Sequence, residues 1–345
     1  MARTRIATWA ALAVLLLAGC SQQDAAQAPG VVRLGYFANV THAPALVGLE
    51  KGFFTEALGA DARLETRSFN AGPEAVEALF SDALDITYIG PNPAINAFAQ
   101  SEGQAIRIVA GATSGGAALV VAPSITAPDQ LRGTRLATPQ LGNTQDVALR
   151  AWLKAQGLAT NLEGGGDVSI APQANAQTLE TFRAGVVQGA WVPEPWSTRL
   201  VLEGGGHVLV DERSLWPDGR FVTTHVIVRA QFLKDHPQLV ERVLHAHVRA
   251  VDFLNADPAA ARQLVNAAIA KLTGKALPDA VIEGAWKTLE FSVDPVASSL
   301  FESARHASAA GLLDPVSLDG IYDLAPLNGI LAQAGKPAIA LQGVK

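Results

Sequence analysis

The chain has 345 residues, 49% of them hydrophobic and 17% charged, which suits an ordinary packed protein and excludes a disordered one. A formal net charge of −6 makes nucleic acid an improper partner. The single cysteine, Cys20, allows no internal disulfide and no catalytic thiol in the folded part, so the core alone must hold the fold together.

The N-terminus carries Arg3 and Arg5, then an apolar run from Ile6 to Leu17, then "LAGC" ending at Cys20. A basic start, a short apolar stretch and small residues define a signal peptide over residues 1–19 rather than a membrane span. "LAGC" has the form of a bacterial lipobox, so Cys20 is expected to become the lipid-bearing N-terminus; the other reading is an ordinary secretory signal in which Cys20 is incidental. Residues 20–30, with "SQQDAAQAPG", lack an apolar period and read as a tether.

From Val31 the chain alternates strands and helices. "VVRLGYF" is followed by a helix from about Ala43 to Phe54, "ARLETRSF", a helix through Glu74 to Phe80, "LDITYIG", a helix opening at Pro93, and "IRIVAGA". This rhythm predicts an α/β lobe with a mainly parallel sheet. A second series repeats it: "ALVVAP", "TRLATP", a helix from Thr144 to about Gln156, "VSIAP", a helix through Thr178, "GAWVP", a helix from Trp196 to Leu202, and "HVLVD". After the return strand "HVIVRA" the pattern is helical, over Pro237 to Asn255, Pro258 to Leu272, Asp279 to Leu289 and near Pro295 and Leu327. The expectation is two lobes, 31–115 with 226–345 and 116–225, joined by crossings near Gly115 to Val121 and Thr223 to Val228. "EGGG" at Glu163 and at Glu203 reads as a helix stop, because no helix start with Lys-Ser/Thr follows as a phosphate loop requires.

In an open α/β sheet, ligands bind beyond the carboxyl ends of the strands, where helix N-termini offer unpaired N–H groups. Six loops qualify: "ANVTHAP" (Asn39, Thr41, His42), "GPNPAIN" (Gly90, Asn92), "TSGGA" (Ser114, Gly115, Gly116), "QLGNTQD" (Asn143, Thr144), "EPWSTR" (Glu194, Trp196) and "TTH" ending at His225. They are small, polar or prolyl, and their prolines fix the turns in advance. Asn92, Asn143 and Thr144 can equally be helix caps. Trp196 is either a lid over a small ligand or a packing residue between lobes.

With "LGYFANVTHAPALVGLEKGFF", "LDITYIGPNPAINAF", "GATSGGAALVV", "LATPQLGNTQDVALRAWL" and "GAWVPEPWSTRLV" in view, the chain resembles the periplasmic substrate-binding proteins of ABC importers. It is most similar to their aliphatic sulfonate, taurine and nitrate group, which is related to the thiamine-precursor binding family. The resemblance implies a two-lobed type II binding-protein fold with two hinge crossings and a helical C-terminal tail. It implies a monomer that captures a small anionic or zwitterionic solute and delivers it to a permease with its own ATPase, without a cofactor. The anion contacts it carries over are Asn39, Thr41, Asn92, Ser114, Gly115, Gly116, Asn143 and Thr144. The expected location is periplasmic or cell-surface, held to the membrane through Cys20.

His42, Glu194 and His225 depart from that pattern. Glu194 would repel a plain sulfonate. It could meet the ammonium of a zwitterion, or join His42 and His225 in a metal site suited to zinc. A third reading leaves both histidines as neutral hydrogen-bonding groups and Glu194 as an acid at a helix N-terminus. His236, His245 and His247 are expected on a solvated helix surface. No G-x-S-x-G, H-E-x-x-H or paired-cysteine motif is present, so no enzyme is expected. Two further classes stay open: a thiamine-precursor synthesising enzyme, against which the signal peptide and lipobox weigh, and a receptor module serving a sensor.

Overall fold

The computed structural model describes residues 30–341, so the signal peptide, Cys20 and nearly all of the tether lie outside the described residues. Along the first part run β1 (Gly30–Phe37), α1 (Ala43–Glu50), α2 (Phe53–Leu58), β2 (Ala62–Phe69), α3 (Gly72–Phe80), β3 (Ile86–Ile89), α4 (Pro91–Gln100) and β4 (Ile106–Gly115). The helix expected across Ala43 to Phe54 breaks in two, because Gly52 turns left-handed (φ 70°) after α1. The second part holds β5 (Ala117–Val121), β6 (Arg135–Thr138), α5 (Thr144–Ala155), β7 (Ser169–Pro172), α6 (Asn175–Arg183), β8 (Gly189–Pro193), α7 (Trp196–Leu202) and β9 (His207–Asp211). The chain then returns through β10 (Val222–Arg229) and continues as α8 (Ala230–Asp235), α9 (Pro237–Ala256), α10 (Pro258–Thr273), α11 (Asp279–Trp286), β11 (Leu289–Phe291), α12 (Ala297–Ala309) and α13 (Ala325–Gln333).

Two sheets result, with orders β11-β4-β10-β3-β1-β2 and β7-β6-β8-β5-β9. In the first, β1 is parallel to β2 and β3, while β10 is antiparallel to both β3 and β4. In the second, β6 is parallel to β7 and β8, and β5 is antiparallel to β8 and β9. The first sheet is therefore more mixed than its β-α rhythm predicts, since the return strand enters against the grain. Apolar side chains pack on both faces of each sheet, as strands reading "VVRLGYF" or "ITYI" require.

The first crossing is Gly115–Gly116, both left-handed (φ 78° and 73°). A Cβ on Gly115 would collide with the Thr288 carbonyl oxygen, and one on Gly116 with the Leu289 side chain. The second crossing falls earlier than expected, because Val222 already pairs with Ser114 of β4. The helix expected to run to Leu289 stops at Trp286, since Leu289–Phe291 pairs with β4 as an edge strand. His247 is not on a solvated surface: it is fully buried, with Nδ1 2.9 Å from the Tyr88 hydroxyl and Nε2 2.8 Å from the Gly111 carbonyl oxygen. A carbonyl only accepts, so Nε2 carries the proton and the Tyr88 hydroxyl donates to Nδ1. Burial pushes the imidazole down to about 4.

Glu212, between β9 and the return strand, is 2% exposed and accepts from Trp191 Nε1 at 2.7 Å and Trp216 Nε1 at 3.4 Å. Burial pushes its carboxyl from an ordinary 4.5 up to about 7 against those two bonds. Between pH 4.5 and 7 the folded chain keeps a proton that the unfolded chain releases, so stability falls as pH rises through that window and the cost is full above it. Glu212→Gln, whose amide oxygen still accepts from Trp191, removes this dependence. Its unfolding free energy relative to the parent should rise by on the order of 3 kcal/mol from pH 4.5 to 8, measured by urea unfolding.

Candidate functional site

Between the sheets lies a narrow slot of about 20 Å³, lined from the first sheet by Asn39, Thr41, His42, Asn70, Gly90 and Thr223. From the second it is lined by Pro139, Asn143, Thr144, Gln145, Asn175 and Pro193. The close approach of the two sides is set by Gly90, where a Cβ would strike Thr144 Oγ1. The lining residues cluster at the starts of α1, α4, α5 and α6, so four helix N-termini turn their positive ends toward the slot.

The polar side chains around the slot are all neutral. His42 Nδ1 accepts from the Phe37 N–H at 3.3 Å, its ring stacks on Phe37, and burial pushes it down to about 3, so Nε2 bears the single proton. Asn143 caps α5, its Oδ1 accepting from the Thr144 N–H. Two buried oxygens of the slot, Thr144 Oγ1 and Asn175 Oδ1, have no hydrogen-bond partner among the described residues. Buried polar atoms are rarely left so, and a donating or accepting solute would satisfy them. The capping and ligand readings of Asn143 and Thr144 are therefore compatible.

The second-sheet side is held rigid by a buried ion pair. Asp146 accepts from Arg150 Nε at 3.0 Å, from Thr138 Oγ1 at 2.9 Å and from the Gly142 N–H at 3.1 Å, while Arg150 Nη1 donates to the Asn161 carbonyl at 2.6 Å. These bonds tie β6, the turn before α5 and the helix into one unit.

The other expected contacts lie elsewhere. Asn92 is buried and donates to the Ser303 carbonyl at 3.2 Å, anchoring α4 to α12. Ser114 accepts from the Phe221 N–H, and Gly115 and Gly116 form the crossing. Trp196 is off the slot but donates from Nε1 to Asn39 Oδ1 at 3.0 Å, linking the two sides.

The metal reading fails. His225 sits inside β10 between Ile89 and Gly111, with Nε2 3.0 Å from the Pro295 carbonyl oxygen, and burial pushes it down to about 4. Glu194 points into α7, accepting from the Thr198 N–H at 3.2 Å and Thr198 Oγ1 at 2.9 Å, and it reaches Thr288 Oγ1 at 3.4 Å. Burial raises its carboxyl, opposed by those bonds. It caps a helix, as the third reading has it, and faces neither an ammonium nor a metal in the slot. Among the described residues no three of His, Cys, Asp and Glu gather to hold an ion.

Asn70 and Asn175 were not foreseen. They follow "ARLETRSF" and "VSIAP", so the same rule that selects loops after strands finds them when applied to β2 and β7 as well.

Two sheets flanked by helices, joined by two crossings and followed by a helical tail, make the fold of the periplasmic binding proteins. The chain aligns with the alkanesulfonate-binding protein of Xanthomonas axonopodis pv. citri bound to MOPS at TM-score 0.69 and 22% identity, covering 84% of this chain and 96% of that one. With the periplasmic nitrate-binding protein of Synechocystis PCC 6803 the TM-score is 0.76 at 16% identity, covering 90% of each. The model of the NMT1-like family matches residues 25–270, and the chain belongs to that family. It is 29% identical over 199 residues to the taurine-binding periplasmic protein of Escherichia coli (strain K12), covering 57% of this chain and 59% of that protein's length. Among the described residues no helix is long and apolar enough to cross a membrane.

Asp146→Ala should lower stability by about 3–5 kcal/mol, because it leaves Arg150 charged and buried without its carboxylate. Urea unfolding with an unchanged m-value checks this; a smaller loss for Asp146→Asn is expected, since the amide oxygen still accepts.

Proposed function

We propose that this chain is the extracytoplasmic solute-binding component of an ABC importer, capturing a small oxyanion between its sheets and presenting it to a permease driven by a separate ATPase. The observation that carries the reading is the slot: neutral Asn and Thr side chains and four helix N-termini converge there without an acid. Helix ends and amide or hydroxyl donors bind an anion without a permanent counter-charge to repay when it leaves. The relatives named for taurine, alkanesulfonates and nitrate share an oxyanion head, which agrees with this chemistry. Glu194, for which contact with an ammonium is one of three readings, is turned into α7, so the reading is an anion first.

In this reading Asn39, Thr41, His42, Gly90, Asn143 and Thr144 hold the solute together with Asn70 and Asn175. One lobe comprises residues 31–115 and the chain from β10 onward, and the other the residues between. The protein works as a monomer, hydrolyses nothing itself and is tethered at the periplasmic or cell surface by a lipid on Cys20.

Thermal unfolding of the purified full-length chain, stripped of metal, tests the ligand class. An alkanesulfonate, taurine or nitrate at one hundred times its dissociation constant should add about 2.7 kcal/mol, and Thr144→Val should abolish much of that gain. Stabilisation by divalent metals or thiamine precursors alone would sink the reading. For the anchor, Cys20→Ser should move the protein from the membrane fraction to the soluble one and remove the mass of an acylated N-terminal peptide. An unchanged distribution would dismiss the lipid.

A further inference from the structure

We infer that the solute is more than its oxyanion head: a second chamber, continuous with the slot, takes a cyclic or aromatic tail that ends in another anionic group. The inference rests on the oxyanion reading and adds the substrate class to it.

The chamber has a volume of about 360 Å³ and shares Asn39, Asn70 and Asn175 with the slot. The slot, at about 20 Å³, has room for roughly one water as it stands, so it accommodates a head group at most and the remainder of a larger solute must lie outside it. Beyond the three asparagines the walls turn apolar: Phe69, Ile269, Leu277 and Pro278 on one side, Pro195 and Trp196 on the other. The indole of Trp196 is half-buried and fixed in place by its bond to Asn39, with the Arg199 guanidinium 4.6 Å from the ring. A fixed aromatic plane beside an apolar wall suits a flat ring better than a flexible ammonium-bearing chain.

Charge supplies the second group. Glu203 is the acid of the chamber, and both its oxygens are taken, by Arg199 Nε at 2.9 Å and Arg199 Nη2 at 3.1 Å, with Arg183 also within 3.3 Å. Lys275 lines the same space and makes no ion pair among the described residues. The chamber thus carries more positive than negative charge, repelling an ammonium and attracting a carboxylate or second sulfonate.

Isothermal titration of the full-length chain with nitrate, ethanesulfonate, benzenesulfonate, 4-sulfobenzoate and 4-(aminomethyl)benzenesulfonate tests this. Benzenesulfonate should bind at least tenfold more tightly than ethanesulfonate, 4-sulfobenzoate more tightly again, and the aminomethyl compound no better than ethanesulfonate. Lys275→Gln should weaken 4-sulfobenzoate several-fold and leave ethanesulfonate unchanged. Ala276→Trp, an exposed lining position whose enlargement fills the chamber, should erase the advantage of the ring compounds and leave ethanesulfonate alone. If ethanesulfonate binds and the ring adds nothing, or if Lys275→Gln weakens every ligand equally, the tail site is overturned while the oxyanion reading stands. If none of the four sulfonates binds and nitrate does not either, the oxyanion reading falls and takes the tail site with it.

Discussion

The architecture depends on one constraint: β10 pairs antiparallel with β3 on one side and β4 on the other. A strand from beyond the second sheet thereby completes the interior of the first. The first sheet draws an interior strand from beyond the second, so the chain must cross between them twice. Each crossing is short and specific. At Gly115–Gly116 two left-handed residues reverse the path beneath the Thr288 carbonyl, where a side chain has no room. At the return, buried Glu212 is gripped by two tryptophans just before the chain re-enters the first sheet. The slot lies between two sheets that are joined by these connections and by side-chain contacts such as Trp196 to Asn39 and Lys154 to Ala309.

The chemistry of the slot follows from keeping charge out of its lining. The buried carboxylate and guanidinium of Asp146 and Arg150 lie behind the second-sheet side, where they compensate each other and are held by hydrogen bonds to Thr138, Gly142 and Asn161, so they fix geometry without adding net charge. What reaches the slot is a set of dipoles: helix ends, amides, hydroxyls and a histidine kept neutral by burial. Dipoles fixed before the solute arrives need no reorganisation, and they attract an anion less strongly than a buried cation would. That balance suits the proposed role of a capture protein that must release its cargo.

Much of the fold is legible in the sequence because the apolar period changes cleanly between strands and helices. "ARLETRSF" and "GAWVP" emerge with the bounds the pattern predicts. Short-range pattern misses what long-range pairing decides: Leu289 to Phe291 looks like a helix end and becomes an edge strand because β4 offers an unpaired side there. His225 reads as the junction of the "TTH" loop and the "HVIVRA" strand, and lies inside β10 because its pairing with β4 begins already at Val222. His247 is polar and so reads as a surface residue, whereas its spacing from Val240, Val243, Leu244 and Val251 puts it on the buried face of α9. The site was half legible. Loops after strands located Asn39, Thr41, His42, Gly90, Asn143 and Thr144, but not which neighbours turn away, because Asn92 and Glu194 are claimed by Ser303 and Thr198 in ways that only the assembled helices reveal.

The contacts that already span the two sides bear on how such a protein responds to solute. Trp196 holds Asn39, Glu194 reaches Thr288, and Lys154 Nζ donates to the Ala309 carbonyl at 2.9 Å, all in addition to the packing of Thr144 against Gly90. Under the proposed function the two sides would close on solute, and each of these contacts, made without one, holds them in the arrangement the structure shows. A ligand can shift the balance only by what it adds to the closed form over the open one, so these contacts lower the contribution required of the solute. They also set a limit. Under the proposed function, interactions made without cargo would weaken the distinction between loaded and unloaded protein, so what marks loading must be a group these contacts leave unsatisfied. The Thr144 hydroxyl, at the start of α5, is such a group: its Oγ1 has no hydrogen-bond partner among the described residues and can donate to an oxyanion, whereas Asn175 Oδ1 can only accept.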